Sequence, residues 1–283
     1  MCNGSQNREL SLLQVGHCVH PEAMVMRGHS WNKMKFPAIV ALIKHPAQGY
    51  ILFDTGYAKR FFDETRNFPN KLYRWLTPVS LCDKEQLIPQ LNHMGIAAED
   101  IKTIFISHFH ADHISGLMDF PSSKYICSKE GYLSFVQRKG LRALIKGYLP
   151  GLMPDDFISR LRFIEDEASI KLKDAFSPFN LAYDIFNDGS CLAVPLPGHA
   201  SGHVGLMVQD GDKLRFLVGD ACWTEEAYTQ GLRPNGLTRI IMNDMGQYYD
   251  TLDKLSRLYG NNREIYIIPS HCAKTWESWK SES

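Results

Sequence analysis

The sequence has no surplus of charge of either sign, because 31 Lys and Arg are balanced by 31 Asp and Glu over 283 residues. A protein whose main partner is a nucleic acid usually carries a basic surplus that binds phosphates. The balance therefore counts against nucleic acid as a partner. The chain also lacks an apolar run long enough to cross a bilayer, so no transmembrane segment is expected.

Paired cysteine motifs and an export signal are also missing. The seven cysteines are scattered without a CxxC pair, and the start, MCNGSQNREL, is polar with no apolar core. An odd, dispersed set of cysteines in a chain without an export signal is typical of reduced intracellular thiols. We therefore expect a cytoplasmic protein without disulfide bonds.

Repeats, low-complexity tracts and Pro/Gly/Ser-rich linkers are absent, so we predict one domain over residues 1–283. Short apolar runs bounded by turn residues alternate with helical patterns, which indicates that strands and helices share this domain. The predicted strands cover 38–43, 50–53, 103–106, 192–196, 204–208, 214–218 and 264–268. The predicted helices cover about 84–94 and 247–258.

Residues 121–190 have a different pattern, which we interpret as a helical insertion. An apolar stripe at helical spacing consists of Leu141, Leu144, Ile145, Tyr148 and Leu149. A basic side consists of Arg138, Lys139, Arg142 and Lys146. Such a stripe is usually an amphipathic surface helix. A mobile cover over an apolar pocket and a weak membrane-surface contact are the alternatives.

Three histidines and an aspartate fall within six consecutive residues at the end of a predicted strand. The segment His108-Phe109-His110-Ala111-Asp112-His113 directly follows strand 103–106. Side chains two positions apart share one side of an extended chain, so His108 and His110 can converge on one metal ion. The chain must then turn, which lets Asp112 and His113 face a second ion.

Three further predicted strands end in the same way. Strand 192–196 leads to His199, strand 214–218 leads to Asp220, and strand 264–268 leads to His271. With the first cluster, these positions supply five histidines and two aspartates at one edge of the structure. This set is sufficient for two borderline divalent ions that share a carboxylate.

The motifs SHFHADH, PGHASGH, GDA and SHC together resemble the metallo-β-lactamase superfamily over essentially the whole chain. The early segment LFDTG also matches the family's first strand and turn. The resemblance implies an α+β fold, an αββα sandwich in which two β-sheets lie face to face between helices. It also implies a hydrolase that holds its metal ions at one edge of this sandwich.

The resemblance implies a role for each of these side chains. One metal ion would be held by His108, His110 and His199. A second would be held by Asp112, His113 and His271, with Asp220 as the bridge. A hydroxide shared by the two ions would attack a carbonyl carbon, and Asp112 would pass a proton to the leaving group. Zinc is the expected metal, and such sites also accept iron, cobalt or manganese.

Within the superfamily, the chain is most similar to the N-acyl homoserine lactone lactonases. A small hydrophobic lactone or ester is therefore the expected substrate, and a homodimer is compatible with the family. Many of these lactonases have a tyrosine that contacts the substrate carbonyl three residues after the bridging aspartate. This chain has Trp223 there, and its indole N–H can donate but not accept a hydrogen bond. Tyr228 is the nearby candidate for the missing contact.

Two other functions remain open from the sequence. A thioesterase, of the glyoxalase II type or acting on an acyl thioester, would need the same metals and the same attack on a carbonyl. A binding or regulatory protein could keep this fold after losing catalysis. Loss of a metal ligand would be the sign of such a protein, and every ligand is present.

Overall fold

The structure is a computed structural model that describes residues 10–282. The polar start, on which the predicted absence of an export signal rests, lies outside the described residues. The strands are β1 (Leu10–Pro21), β2 (Lys33–His45), β3 (Gly49–Phe53), β4 (Val79–Ser80), β5 (Ile101–Phe105), β6 (Lys124–Cys127), β7 (Leu161–Phe163), β8 (Ala168–Lys171), β9 (Leu181–Asp184), β10 (Cys191–Pro195), β11 (Val204–Asp210), β12 (Lys213–Gly219) and β13 (Ile265–Pro269).

Helices connect these strands and cover the outer faces of the sheets. The α-helices are α1 (Glu22–Val25), α2 (Lys59–Glu64), α3 (Lys71–Leu76), α4 (Leu87–His93), α5 (Ala111–Ile114), α6 (Lys129–Val136), α7 (Gly140–Ile145), α8 (Glu225–Thr229), α9 (Met245–Asn261) and α10 (Ala273–Glu282). Short 3₁₀ helices cover Asp83–Glu85, Ala98–Asp100, Leu117–Asp119, Pro150–Leu152, Phe157–Arg160, Ile164–Asp166, Asp174–Phe176 and Gly236–Ile240.

The strands form two sheets that pack face to face. The first has the order β4-β1-β2-β3-β5-β6-β7, and the second has the order β13-β12-β11-β10-β9-β8. Alternate residues of a strand point to opposite faces. Accordingly, Leu52 faces one core cluster while Ile51 and Phe53 face another, which also contains Leu206 and Leu217 of the second sheet. The cluster shared by both sheets is the centre of a sandwich.

Helices complete the outer two layers. The far face of the first sheet packs with Leu87 and Leu91 of α4 and with Phe135 of α6. The far face of the second sheet packs with α9, whose Leu252 and Leu255 are buried. The predicted αββα sandwich is therefore confirmed.

The predicted strands and helices are found at nearly the expected positions. Helix α9 begins after Asp244, whose side chain accepts a hydrogen bond from the backbone N–H of Gln247 at 3.0 Å. Pro89 fits into α4 because it lies in the first turn, where its missing N–H has no helical partner to lose. Strand β1 was not predicted, because a bulge at Gly16, with φ at 79°, interrupts the alternation of its side chains.

The expectation of a helical insertion at 121–190 needs correction. Helices α6 and α7 lie in this segment, but so do β6 and β7, which extend the first sheet, and β8 and β9, which extend the second. The residues of the predicted apolar stripe also lie in two different environments. Tyr148 and Leu149 follow the end of α7 and are buried, whereas Leu141 and Ile145 are exposed. Strands of three or four residues are too short to show a clear alternation of apolar and polar side chains. The helical spacing was therefore the only strong signal in this segment, and the strands were missed.

Six of the seven cysteines lie in the described part of the chain. Cys18, Cys82, Cys127, Cys191, Cys222 and Cys272 are all free. Burial raises the pKa of the Cys18 thiol to about 12, which keeps it protonated and unreactive at neutral pH. Within residues 10–282, none of the helices has the length and apolar character that crossing a bilayer requires.

Candidate metal centre

The ends of four strands bring the predicted site residues to one edge of the sandwich. After β5, the chain bends at Ser107 and reaches His110, an extended residue that directly precedes α5, the helix that carries Asp112 and His113. Strands β10, β12 and β13 run in the same direction in the second sheet, since β10 and β12 flank the antiparallel β11 and β13 is parallel to β12. Their carboxyl ends therefore deliver His199, Asp220 and His271 to the same edge.

These seven side chains form two groups that could each hold a metal ion. One group consists of His108, His110, His199 and Asp220, and the other consists of Asp112, His113 and His271. Within each group, the potential ligand atoms all lie within 4.8 Å of one another. The grouping matches the one that the sequence resemblance implies. No predicted ligand lies outside it.

Asp220 lies between the two groups and contacts both. Its Oδ1 is 3.3 Å from His113 Nε2 and 3.2 Å from His271 Nε2. Its Oδ2 is 3.1 Å from His199 Nε2. One carboxylate oxygen thus faces each group, as a bridging carboxylate requires. Asp112 contacts the second group, with Oδ2 at 3.2 Å from His271 Nε2.

Three of the imidazoles are oriented by acceptors outside the cluster. His113 Nδ1 lies 2.7 Å from Asp54 Oδ2, and His271 Nδ1 lies 2.7 Å from the carbonyl oxygen of Pro37. His108 Nδ1 lies 2.9 Å from the Ser107 hydroxyl, which itself donates to Asp54. Each Nδ1–H therefore donates outward, and each Nε2 faces into the cluster. This is the arrangement that metal-binding histidines adopt in proteins.

Three of the inward-facing atoms lack hydrogen-bond partners. Among the described residues, His108 Nε2, His113 Nε2 and Asp220 Oδ1 are buried without one. Unpaired buried acceptors are rare, because burial removes their hydrogen bonds to water. Imidazole nitrogens and carboxylate oxygens converging in this way are suitable ligands for zinc and similar divalent ions. The residues therefore fit the metals that the fold family implies.

The electrostatics of the cluster also favour cations. Burial lowers the pKa of His110 to about 3, with a further contribution from the neighbouring His199, so this imidazole is neutral at pH 7 and free to bind a metal. Burial opposes a charge on His113 as well, but the carboxylates of Asp54, Asp112 and Asp220 outweigh burial and raise its pKa to about 10. The second group is therefore the more negative environment.

Asp54 is a further residue of the site, and no sequence motif identified it as one. It follows β3 and has φ at 64°, a left-handed conformation that aspartate tolerates better than most residues. Its carboxylate accepts hydrogen bonds from the backbone N–H and the hydroxyl of Ser107, at 2.8 and 2.7 Å, and contacts His113. Asp54 thereby fixes the orientation of both His108 and His113. The only signal in the sequence was the DTG turn at the strand end.

His203 supports the cluster from behind. Its Nε2 accepts a hydrogen bond from the backbone N–H of Asp220 at 3.1 Å, and its Nδ1 lies 3.1 Å from the carbonyl oxygen of Leu196. Burial lowers its pKa to about 3, so the ring is neutral, as these two hydrogen bonds require. His203 therefore positions the bridging aspartate.

Trp223 and Tyr228 have different positions relative to the cluster. The indole N–H of Trp223 donates to Asp220 Oδ2 at 3.0 Å, and the ring borders the cavity described below. Tyr228 lies on α8, and its hydroxyl contacts the carbonyl oxygen of Ile267 at 3.4 Å. Tyr228 is not part of the cavity wall that the described residues form. The expectation that it supplies the substrate contact is therefore corrected, because α8 turns its side chain into the core.

A cavity of about 120 Å³ opens directly onto both ligand groups. Its metal-facing side includes His110, Asp112, His199, Asp220 and His271. The remaining wall is largely apolar and includes Met24, Val25, Phe36, Tyr73, Trp223 and Ile241. A small ligand with a polar reacting group and an apolar body would match this division.

A family model described as the metallo-beta-lactamase superfamily matches residues 38–260. The chain belongs to this superfamily. The match covers the residues of both ligand groups except His271, and it confirms the family resemblance that the sequence motifs carry.

Curated relatives extend over most of the chain. It is 25% identical over 252 residues to the N-acyl homoserine lactonase AttM of Agrobacterium fabrum, with 87% of this chain and 86% of the relative covered. It is 23% identical over 283 residues to the N-acyl homoserine lactonase AiiB of the same organism, with 93% of each covered.

Solved structures share the fold. An N-acyl homoserine lactone hydrolase with the product N-hexanoyl-L-homoserine at its catalytic metal centre superposes with a TM-score of 0.73. The sequence identity is 17%, and 96% of each chain is covered. The dizinc lactonase AidC, in complex with the same kind of product, gives a TM-score of 0.64 at 16% identity, over 94% of this chain and 87% of AidC.

Proposed function

We propose that the protein is a metal-dependent hydrolase that opens the ester ring of an N-acyl homoserine lactone. The observation that carries this proposal is the pair of ligand groups joined by Asp220 at the end of an apolar cavity. The lactonases AttM and AiiB, which match 86% or more of their own length, support the choice of substrate.

The ligands proposed for the first ion are His108, His110 and His199, and those for the second are Asp112, His113 and His271. Asp220 bridges. When bound, two such ions supply a hydroxide near neutral pH and stabilise negative charge on the carbonyl and leaving oxygens. Zinc is the metal we propose, because imidazole and carboxylate ligands are the donors that zinc hydrolases use.

Side chains around the ligand groups would transfer a proton, position the bridging carboxylate and bind the substrate. Asp112 both belongs to the second ligand group and lines the cavity, so its carboxylate can accept the proton of the attacking hydroxide and transfer it to the leaving alkoxide. The indole N–H of Trp223 donates a hydrogen bond to Asp220 and therefore positions this carboxylate. The apolar wall formed by Phe36, Val25 and Ile241 excludes water and binds the acyl chain.

Proton release tests the proposal. Metal-loaded protein in weak buffer is given a long-chain N-acyl homoserine lactone and, separately, an acyl thioester of the same chain length. We expect rapid acid production from the lactone, since ring opening creates a carboxylic acid. Thiol release from the thioester without acid production from the lactone would contradict the proposal and indicate a thioesterase. No reaction with either would overturn both.

Two further features stay predictions. A cytoplasmic location rests on the sequence alone, as does a homodimer. Cell fractionation and sedimentation velocity are the respective tests.

A further inference from the structure

Four chain segments lie at or next to the cavity, and we refer to them as the rim: residues 26–35, 66–77, 137–149 and 233–242. Tyr73 and Thr77 of the second segment and Thr238 and Ile241 of the fourth line the cavity. The first segment directly follows Val25, which also lines it.

Hydrogen bonds connect three of these segments. The backbone N–H of Arg27 donates to the carbonyl oxygen of Arg233 at 2.8 Å, which joins the first segment to the fourth. Lys146 Nζ donates to the carbonyl oxygen of Met242 at 2.6 Å, which joins the third to the fourth. The second and fourth segments line the same cavity, so all four segments are neighbours beside it, although they are far apart in the sequence.

The rim carries most of the strongly exposed apolar surface. Among the described residues, nine large apolar side chains are more than half exposed, and every one except Ile158 lies in the rim. The eight in the rim are Trp31, Phe68, Trp75, Leu76, Leu141, Ile145, Leu237 and Ile240. Apolar side chains concentrated in this way mark an interaction surface, because scattered ones would be distributed over the whole protein.

The rim also has a charge of one sign. Its twelve cations are Arg27, Lys33, Lys35, Arg66, Lys71, Arg74, Arg138, Lys139, Arg142, Lys146, Arg233 and Arg239. None of the chain's 31 acidic residues falls in these segments. Within residues 10–282, only Arg66 and Arg233 of this set form ion pairs, with Asp63 and Asp253. A chain with no net charge therefore has a strongly cationic region at its cavity mouth.

We propose that the rim docks on the surface of an anionic lipid bilayer. Interfacial membrane-binding surfaces combine Trp, Phe and Leu with Lys and Arg, so that apolar groups enter the headgroup region while cations bind lipid phosphates. Each cation near such a surface adds attraction, and acidic residues would oppose it. The composition of the rim meets both conditions.

A second copy of the chain fits the rim less well. A two-fold interface places the same patch on both partners, so the rim would face itself. Twelve cations would then oppose twelve cations without acidic partners, which disfavours association. Docking on a bilayer would instead open the cavity toward the phase in which long acyl chains dissolve. The docking itself does not depend on the proposed lactonase activity.

Vesicle flotation with the full-length protein tests this proposal without any substrate. We expect binding to vesicles that contain phosphatidylglycerol and little binding to vesicles of phosphatidylcholine alone. The charge variant Lys139→Glu/Arg142→Glu should lower the partition coefficient by about tenfold or more. The matched control Lys254→Glu/Arg257→Glu makes the same change at exposed positions of α9 and should bind like the wild type.

A second pair of variants tests the apolar part of the surface. Leu237→Ser/Ile240→Ser should also reduce partitioning by about tenfold. The control Ile158→Ser/Leu181→Ser removes exposed apolar side chains outside the rim and should not reduce it. Thermal melts of all four variants verify that they fold. Equal partitioning of rim and control variants, or no binding to anionic vesicles, would overturn the proposal. Loss of a dimer in the rim variants, without vesicle binding, would identify a second copy as the occupant.

Discussion

The floor and the rim of the cavity differ in burial and in how their side chains are held. The floor is the set of seven proposed metal ligands at strand ends, most of them buried, and several of them are oriented by a partner such as Asp54, Ser107 or His203. The rim carries many exposed side chains on loops and short helices. A rigid floor is what metal binding requires, since ligand atoms must be held within narrow distances. None of the proposed metal ligands lies in the rim, so the two regions should respond differently to substitution.

Asp220→Asn should have the largest effect, because it removes the negative charge that both ligand groups share. We expect loss of bound metal together with loss of hydrolysis to the background rate, measured by elemental analysis and by acid release. Asp253→Asn, at an exposed aspartate, is the control and should retain both metals. Full activity of the Asp220 variant would show that the ligand assignment is wrong.

Acidification should separate the two ligand groups. In the metal-free protein, His113 has its pKa raised from 6.5 to about 10, and the pKa of His271 is also raised by Asp220 and Asp112 against the effect of burial. Metal must displace these protons, so affinity at the second group should fall by about tenfold per pH unit for each proton displaced as the pH decreases from about 10 toward 6.5. The low pKa of His110 predicts weaker pH dependence at the first group.

Calorimetric titration of metal in buffers of different ionisation enthalpy measures this difference directly. The number of protons released should be larger for one of the two binding events. Equal proton release by both events would contradict the assignment of the charged imidazoles to one group. The same pKa shifts contribute to stability of the metal-free protein below pH 6.5, and that contribution should be lost as the pH rises toward 10.

Asp54→Asn tests whether the floor needs its supporting residues. Asparagine keeps the left-handed backbone at this position but removes the charge that faces His113. Metal affinity should fall by about 10- to 100-fold, as for other residues that orient metal ligands. A competition assay with a chelator measures it. Unchanged affinity would mean that Asp54 serves the fold only.

Trp223→Phe should have a smaller effect, because it removes one hydrogen bond to Asp220 and keeps most of the packing. We expect a change in the visible spectrum of the cobalt-loaded protein and a decrease of about tenfold or less in kcat, with KM nearly unchanged. Trp276→Phe, in the core shared by both sheets, controls for loss of an indole. An altered KM with an unchanged spectrum would indicate direct substrate contact.

Rim substitutions should affect the metal centre least. Lys139→Glu/Arg142→Glu changes exposed side chains that do not line the cavity, so elemental analysis should find two metal ions per chain, as in the wild type. Loss of metal in this variant would show that the two regions are coupled.

The same contrast explains how much the sequence could predict. The floor was predictable because residues that can bind metal, such as His108 to His113 and His199, come directly after predicted strands, and strand ends lie at one edge of the structure. Asp54 escaped assignment because its partner Ser107 is adjacent only in the folded protein. Tyr228 was assigned from its distance along the chain to Asp220, which does not specify the direction of its side chain. The rim combines four distant segments, and each alone resembles an ordinary surface loop.

Metal titration of the chelated protein tests the central claim most directly. Zinc is added stepwise to the metal-free protein, and acid release from a long-chain N-acyl homoserine lactone is followed at each step. Our account predicts no activity without metal and full activity at two equivalents. Activity that persists in the metal-free protein, or no activity with both sites filled, would contradict it.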